Sequence, residues 1–255
     1  MKLTARKTLI ASSLLLALGT AQAAVETFNI GDEFNGLTAT GYGTLTLSDN
    51  LIAAMNVGQI SFEEFGGATA NIVRDSAGDY VSLAVTAEGT SLSIDTVTNN
   101  VVGLTTTGGA TLTATPISGV SSGGFLTISN IAFDVPTLTV YATLIGGNGV
   151  GQVDNLALWQ ASTLEGSTLV AGAGVYENSI SGLSITTQGY NLFKQSLGLQ
   201  FLGQAALGSV EDYGSVNSVI TATNVTPAIP EPSTYALMGL GLVGIALAAR
   251  RRQMH

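Results

Sequence analysis

Ser82-Leu83-Ala84-Val85-Thr86 and Ser91-Leu92-Ser93-Ile94-Asp95 set their large apolar residues two positions apart. Successive side chains of an extended strand point to opposite faces, so this period of two puts Leu83 with Val85, and Leu92 with Ile94, on one face. The same pattern recurs in Thr44-Leu45-Thr46-Leu47, in Thr111-Leu112-Thr113 and in Thr137-Leu138-Thr139-Val140-Tyr141. Threonine suits the outer face of such a strand, because its β-branch fits the pleat while its hydroxyl meets water. Gly66-Gly67, Asn99-Asn100, Gly108-Gly109, Gly123-Gly124 and Gly146-Gly147 punctuate the runs at short intervals. Many short strands separated by such turns predict an all-β fold, an antiparallel sandwich that is jelly-roll-like.

Two stretches break the alternation. Asp49 to Val57 reads as a short capped helix, and Asn191 to Leu207 as a longer one with Leu192, Phe193, Leu197, Phe201 and Leu202 toward the core. A last strand is expected at Val216 to Ala222, with residues 223–229 as a linker containing Pro227. Gly36 to Leu47 and Gly103 to Ala114 agree at eight of twelve positions. A duplicated β-unit is one reading; chance self-similarity in a chain with 32 glycines is the preferred one, since no fixed period links the copies.

Around this body, charge is distributed unevenly. Lys2, Arg6 and Lys7 lie at the start and Arg250, Arg251 and Arg252 at the end. Between Ala24 and Pro230, sixteen Asp and Glu stand against Arg74 and Lys194, a formal charge of −14. Such a surface repels nucleic acid and anionic lipid. The chain has no cysteine, which excludes disulfides, Cys-zinc sites, iron-sulfur clusters and thiol nucleophiles.

Residues 1–23 have the three parts of a secretory signal: a basic start, the apolar run Leu9 to Leu18, and Ala21-Gln22-Ala23 as a small-x-small cleavage site. An apolar run of about ten residues falls short of the roughly twenty that span a bilayer, so cleavage after Ala23 by signal peptidase, following the Sec translocon, is expected. The other end presents Pro230-Glu231-Pro232, an apolar run over residues 233–249, and Arg250-Arg251-Arg252. Seventeen residues at about 1.5 Å each reach roughly 25 Å, the short limit for one inner-membrane helix. The arginines would stay in the cytoplasm as a membrane stop, which leaves the body, residues 24–222, outside.

Ile229-Pro230-Glu231-Pro232-Ser233-Thr234-Tyr235-Ala236-Leu237, followed by Gly-Leu-rich sequence and three arginines, resembles the tail of the PEP-CTERM proteins of Gram-negative bacteria. The resemblance covers residues 230–255 and is silent on the body. It implies recognition by an exosortase, a membrane-embedded enzyme that cuts near the motif and passes the body to the cell surface or to exopolysaccharide.

Reactive groups in the body are few. Gly119-Val120-Ser121-Ser122-Gly123 has the form of a nucleophile elbow, but the only histidine, His255, follows the terminal arginines, so Ser121 is read as a turn residue. A Ser121–Lys194 pair has no further support in the sequence. Gly239-Leu240-Gly241-Leu242-Val243-Gly244 mimics a dinucleotide fingerprint but lies in the membrane segment with no strand before it. Glu63-Glu64, Asp134, Asp154 and Glu211-Asp212 are read as solvated surface, although two such groups flanking a sugar are what glycoside hydrolysis needs. Asp75 and Asp79 are the candidate Ca²⁺ ligands, without the loop spacing of an EF-hand. Asn148, Asp154 and Trp159 form a candidate ligand rim, against the preferred alternative of a hairpin leading to a core tryptophan.

The function expected from these features is a non-enzymatic surface or matrix protein, structural or adhesive, associated with exopolysaccharide or biofilm. A carbohydrate-binding module and a carboxylate-dependent glycosidase are the alternatives.

Overall fold

The computed structural model describes residues 24–225 together with Leu237, Met238, Leu240 and Leu242. The signal segment with Ala21 and Ala23, the motif Pro230, Glu231 and Pro232, and Arg250, Arg251 and Arg252 lie outside the described residues. So does most of the expected membrane segment, residues 233–249, and among the described residues no helix is long and apolar enough to cross a membrane.

In chain order the strands are β1 (Val25–Asn29), β2 (Glu33–Phe34), β3 (Leu37–Leu47), β4 (Ser61–Phe65), β5 (Thr69–Arg74), β6 (Tyr80–Asp95), β7 (Asn100–Thr106) and β8 (Gly109–Ala114). They continue with β9 (Gly124–Asp134), β10 (Thr139–Gly146), β11 (Gly151–Gln160), β12 (Thr163–Gly166), β13 (Gly174–Ser181), β14 (Ser184–Ile185) and β15 (Gly214–Asn224). The helices are α1 (Asp49–Gly58), α2 (Thr187–Ser196) and α3 (Phe201–Gly208). Every pairing between these strands is antiparallel.

The stretch that set the expectation is a single strand, β6, and it belongs to both faces of the sandwich. Its first half pairs with β3 and β5, and its second half, from Gly89 on, pairs with β7 and β1. At the changeover the register shifts between Gly89 and Ser91, and a Cβ on Gly89 would stand 3.0 Å from the Gly41 carbonyl oxygen. Glycine there lets the bent strand pass close over β3. The result is one continuous sheet folded on itself, in the order β12-β13-β15-β3-β6-β7-β9-β10-β11-β14, with β8 and β4 extending from β9. The antiparallel, largely β architecture is as expected. The jelly-roll detail differs, because a jelly roll stacks two sheets of an eight-stranded chain and here one shared strand joins them.

Leu83 and Val85 face the main core, where they meet Leu126, Val140, Leu144, Leu158 and Trp159. Leu92 and Ile94 face a second, smaller cluster with Val101 and Ile220, closed by Phe28 and Phe34, whose rings are 4.8 Å apart. Helix α1 matches its expected span and is capped by Ser48, whose hydroxyl accepts from the Leu51 N–H at 3.1 Å. The second expected helix is two. Gly198, at φ +59°, ends α2, and the chain restarts after Gln200, whose N–H donates to the Val120 carbonyl. Phe193 and Leu197 are buried as expected, but Phe201 and Leu202 are 80% and 51% exposed, because the break turns the first face of α3 outward.

The similar segments Gly36–Leu47 and Gly103–Ala114 fold differently. The first runs straight through as β3, whereas the second turns at Gly108, φ +78°, between β7 and β8. Val25 and Asn224 emerge at the same pole. β6 starts at Tyr80, held by the side chain of Asn56 on α1, and ends paired with Val25. β15 starts beside Leu47, just before α1, and ends beside Leu37. Eleven residues of β15 place these poles roughly 35 Å apart. The strand includes Thr223 and Asn224, and Val225 N–H donates to the Gly36 carbonyl at 2.9 Å, so the start of the expected linker belongs to the body.

Candidate functional site

Two concavities matter. The first is an apolar cavity of about 80 Å³ in the main core, lined by Gly43, Ala87, Gly109, Ala110 and larger neighbours. It is well below the roughly 300 Å³ at which ligand sites begin. The second is an open groove of about 320 Å³ on the outer face of the sheet, near the pole of Val25.

The groove follows from register. Ser93 pairs with Gly103 and Gly103 with Asp134, while Thr105 pairs with Ala132 and Ala132 with Tyr141. Residues directly opposite share a face, so these six side-chain positions form two rows across β6, β7, β9 and β10. Gly103 and Ala132 leave the middle low. Tyr141, Asp134 and Pro136 stand on one side, and Val25, Val102 and Ser93 on the other. Val102 reaches this face because the register shifts between Ser93 and Ile94. Asp134 accepts a hydrogen bond from the Thr137 hydroxyl, and Ser93 shares one with Thr27 at 2.9 Å. The groove therefore offers a carboxylate, hydroxyls and an aromatic ring, and its lining contains no basic side chain.

The residues singled out from the sequence lie elsewhere. Trp159 is 2% exposed and packs in the core, its ring 6.5 Å from that of Tyr213. It cannot line a rim with the exposed Asn148 and Asp154. Asn148, at φ +52°, donates from Nδ2 to the carbonyls of Gly123 at 2.9 Å and Ser196 at 3.1 Å, which ties its loop to the end of α2. Asp154 accepts from Gln152 Nε2 at 2.9 Å and from the Thr143 hydroxyl at 3.2 Å.

Asp75 uses Oδ1 to accept the N–H groups of Ala77 and Asp79 at 2.8 and 3.0 Å, which closes a turn. Among the described residues no group of three or more His, Cys, Asp or Glu is placed to hold a metal ion. Ser121 is 2% exposed, donates to the Leu197 carbonyl at 2.6 Å and accepts from Gly123 N–H, as a turn residue does. Lys194 Nζ lies 5.9 Å from the ring centre of Tyr190.

Other carboxylates also serve turns. Asp95 accepts from Val97 N–H at 2.9 Å, and that bond holds its carboxyl below the ordinary aspartate range. Asp212 accepts from Gly214 N–H, and Glu64 from Ala70 N–H. Sequence reasoning missed the groove. Its one readable signal was Tyr141, an aromatic on the outward phase of a Thr-rich strand; Gly103 and Ala132 become a floor only once the strands are in register.

Residues 228–252 match the model of the PEP-CTERM protein-sorting motif. Neither the curated proteins nor the solved structures contain a match to the chain.

Proposed function

We propose, from the sorting motif at residues 228–252, that this chain is an exosortase substrate whose β-body acts, without catalysis, as a structural or adhesive protein of the cell surface or extracellular matrix. The motif marks the chain for export and surface sorting, and it is the observation that carries the reading. The anchor would be the segment over residues 233–249, held transiently in the inner membrane with the arginines inside. The common pole of Val25 and Asn224 supports this, since the body can complete its sheet while both of its ends stay near one membrane surface. An acidic body with a formal charge of −14 supports it too, because mutual repulsion keeps a protein soluble outside the cell and off anionic lipid.

Mass spectrometry of the protein recovered from the cell surface is the direct test. The expected form lacks the terminal arginines, and replacing Pro230, Glu231 and Pro232 by alanine retains the full-length form in the membrane. A surface form that still ends at His255, unaffected by that replacement, would refute the reading.

A further inference from the structure

We infer that the groove floored by Gly103 and Ala132 is a binding site for a glycan that carries no anionic groups. The inference rests on the surface or matrix reading only for where the glycan would be met; the chemistry is that of the groove itself.

At about 320 Å³ the groove is within the size range of small-ligand sites, and its shape is built into the sheet rather than borrowed from a loop. Gly103 sits between Ser93 and Phe133 so closely that a Cβ would approach the Phe133 carbonyl oxygen to 3.3 Å and Ser93 Cβ to 3.4 Å, so any side chain at this position would fill the hollow. The lining combines two kinds of contact. Tyr141 and Pro136 offer flat apolar surfaces of the sort against which the C–H face of a sugar ring packs.

The Asp134 carboxylate and the hydroxyls of Ser93, Thr105 and Tyr141 supply hydrogen-bond acceptors with few obligatory donors. Asp134 spends one oxygen on the Thr137 hydroxyl, which fixes the carboxylate and leaves its remaining lone pairs for a ligand hydroxyl or amine. A ligand matching this surface is rich in O–H or N–H donors and has apolar ring faces, as a saccharide has.

Charge narrows the class. No lysine or arginine lines the groove, Asp134 stands in its wall, and the body carries a formal −14. Uronate, sulfate or phosphate groups would meet a like-charged surface with no counter-charge. Neutral and amino-bearing sugars meet none of that opposition.

The test is titration calorimetry of the protein released from the cell surface with three probes: cello-oligosaccharide, chitosan oligosaccharide and alginate oligosaccharide. Binding of the first or the second, at least tenfold tighter than of the alginate probe, is expected. Tyr141→Ala and Asp134→Asn should each weaken it at least fivefold with the melting temperature little changed. Tyr42→Ala, which removes an exposed tyrosine from the other part of the sheet, should leave it unchanged. Alginate binding as tight as the other two, full binding by folded Tyr141→Ala, or no binding of either non-anionic probe at millimolar concentration would overturn the inference. Those outcomes leave the sorting reading intact, because that reading is decided by the mass of the processed chain.

Discussion

Gly43 and Gly109 line the same core cavity, and the structure assigns opposite signs to adding one methyl group at each. At Gly43 a Cβ would have a single near neighbour, Thr106 Cγ2 at 3.5 Å, which is ordinary contact distance, and the backbone is not in the left-handed region. Gly43→Ala would therefore bury a methyl in space already present, worth about 0.8 kcal/mol. It also removes the entropic penalty of a strand glycine, about 0.5–1 kcal/mol. The sum is a gain of about 1–2 kcal/mol. At 2–4 °C per kcal/mol for a body of this size, the melting temperature should rise by about 2–8 °C.

At Gly109 a Cβ would lie 2.0 Å from the Ile128 carbonyl oxygen and 2.9 Å from Ser129 Cα, both backbone atoms of β9. Relief requires parting β8 from β9, so Gly109→Ala should cost at least about 2 kcal/mol. Trp159 is the only tryptophan in the chain and is buried in the same core, so its fluorescence during urea or thermal unfolding reports both variants. A drop in stability for Gly43→Ala comparable with that for Gly109→Ala would refute the reasoning, since it would mean that the cavity has no room for a methyl group.

Other substitutions follow the same logic. The Tyr213 hydroxyl is buried with no hydrogen-bond partner among the described residues, and burial pushes its pKa well above the ordinary tyrosine value. Tyr213→Phe should be neutral or stabilising by up to about 1 kcal/mol in urea unfolding at pH 7. Because the folded state holds that proton more tightly, the wild-type protein should lose stability as pH rises above about 10, where unfolded tyrosine ionises, and Tyr213→Phe should lose less. For Asp95 the sign is reversed. Its lowered pKa gives stability that is present above the ordinary aspartate range and is lost as pH falls through the folded value; NMR titration should find it below the solvated carboxylates, and Asp95→Asn should flatten that part of the acid limb. Asn148→Ala leaves the carbonyls of Gly123 and Ser196 without their donor and should cost about 1–3 kcal/mol in the same unfolding assay, while binding at the groove stays unchanged.

How much of this was readable in advance depends on the range of the interaction involved. The alternation of Leu83, Val85, Leu92 and Ile94 is local, so strands and their buried faces could be inferred from spacing alone. The same is true of the Ser48-capped α1 and of the Ser121 turn. The break at Gly198 was less visible, because Leu197 and Phe201 keep a helical spacing across it, and only the docking of Gln200 against Val120 shows that the helix has ended.

The candidate site was less legible still. Trp159 is conspicuous in the sequence and is a core residue in the fold, whereas Gly103 and Ala132 are unremarkable until register relations set them beside Tyr141.

Hydrophobic spacing, charge placement and the motif at residues 228–252 were sufficient to establish an all-β body and its sorting signal, because each is written within a few neighbouring residues. The sharing of β6 between the two faces, the different courses of two similar twelve-residue segments, and the groove were decided only by tertiary structure. Pairing partners for a strand come from distant parts of the chain, and a glycine becomes a bend, a turn or a floor according to which backbone lies across from it.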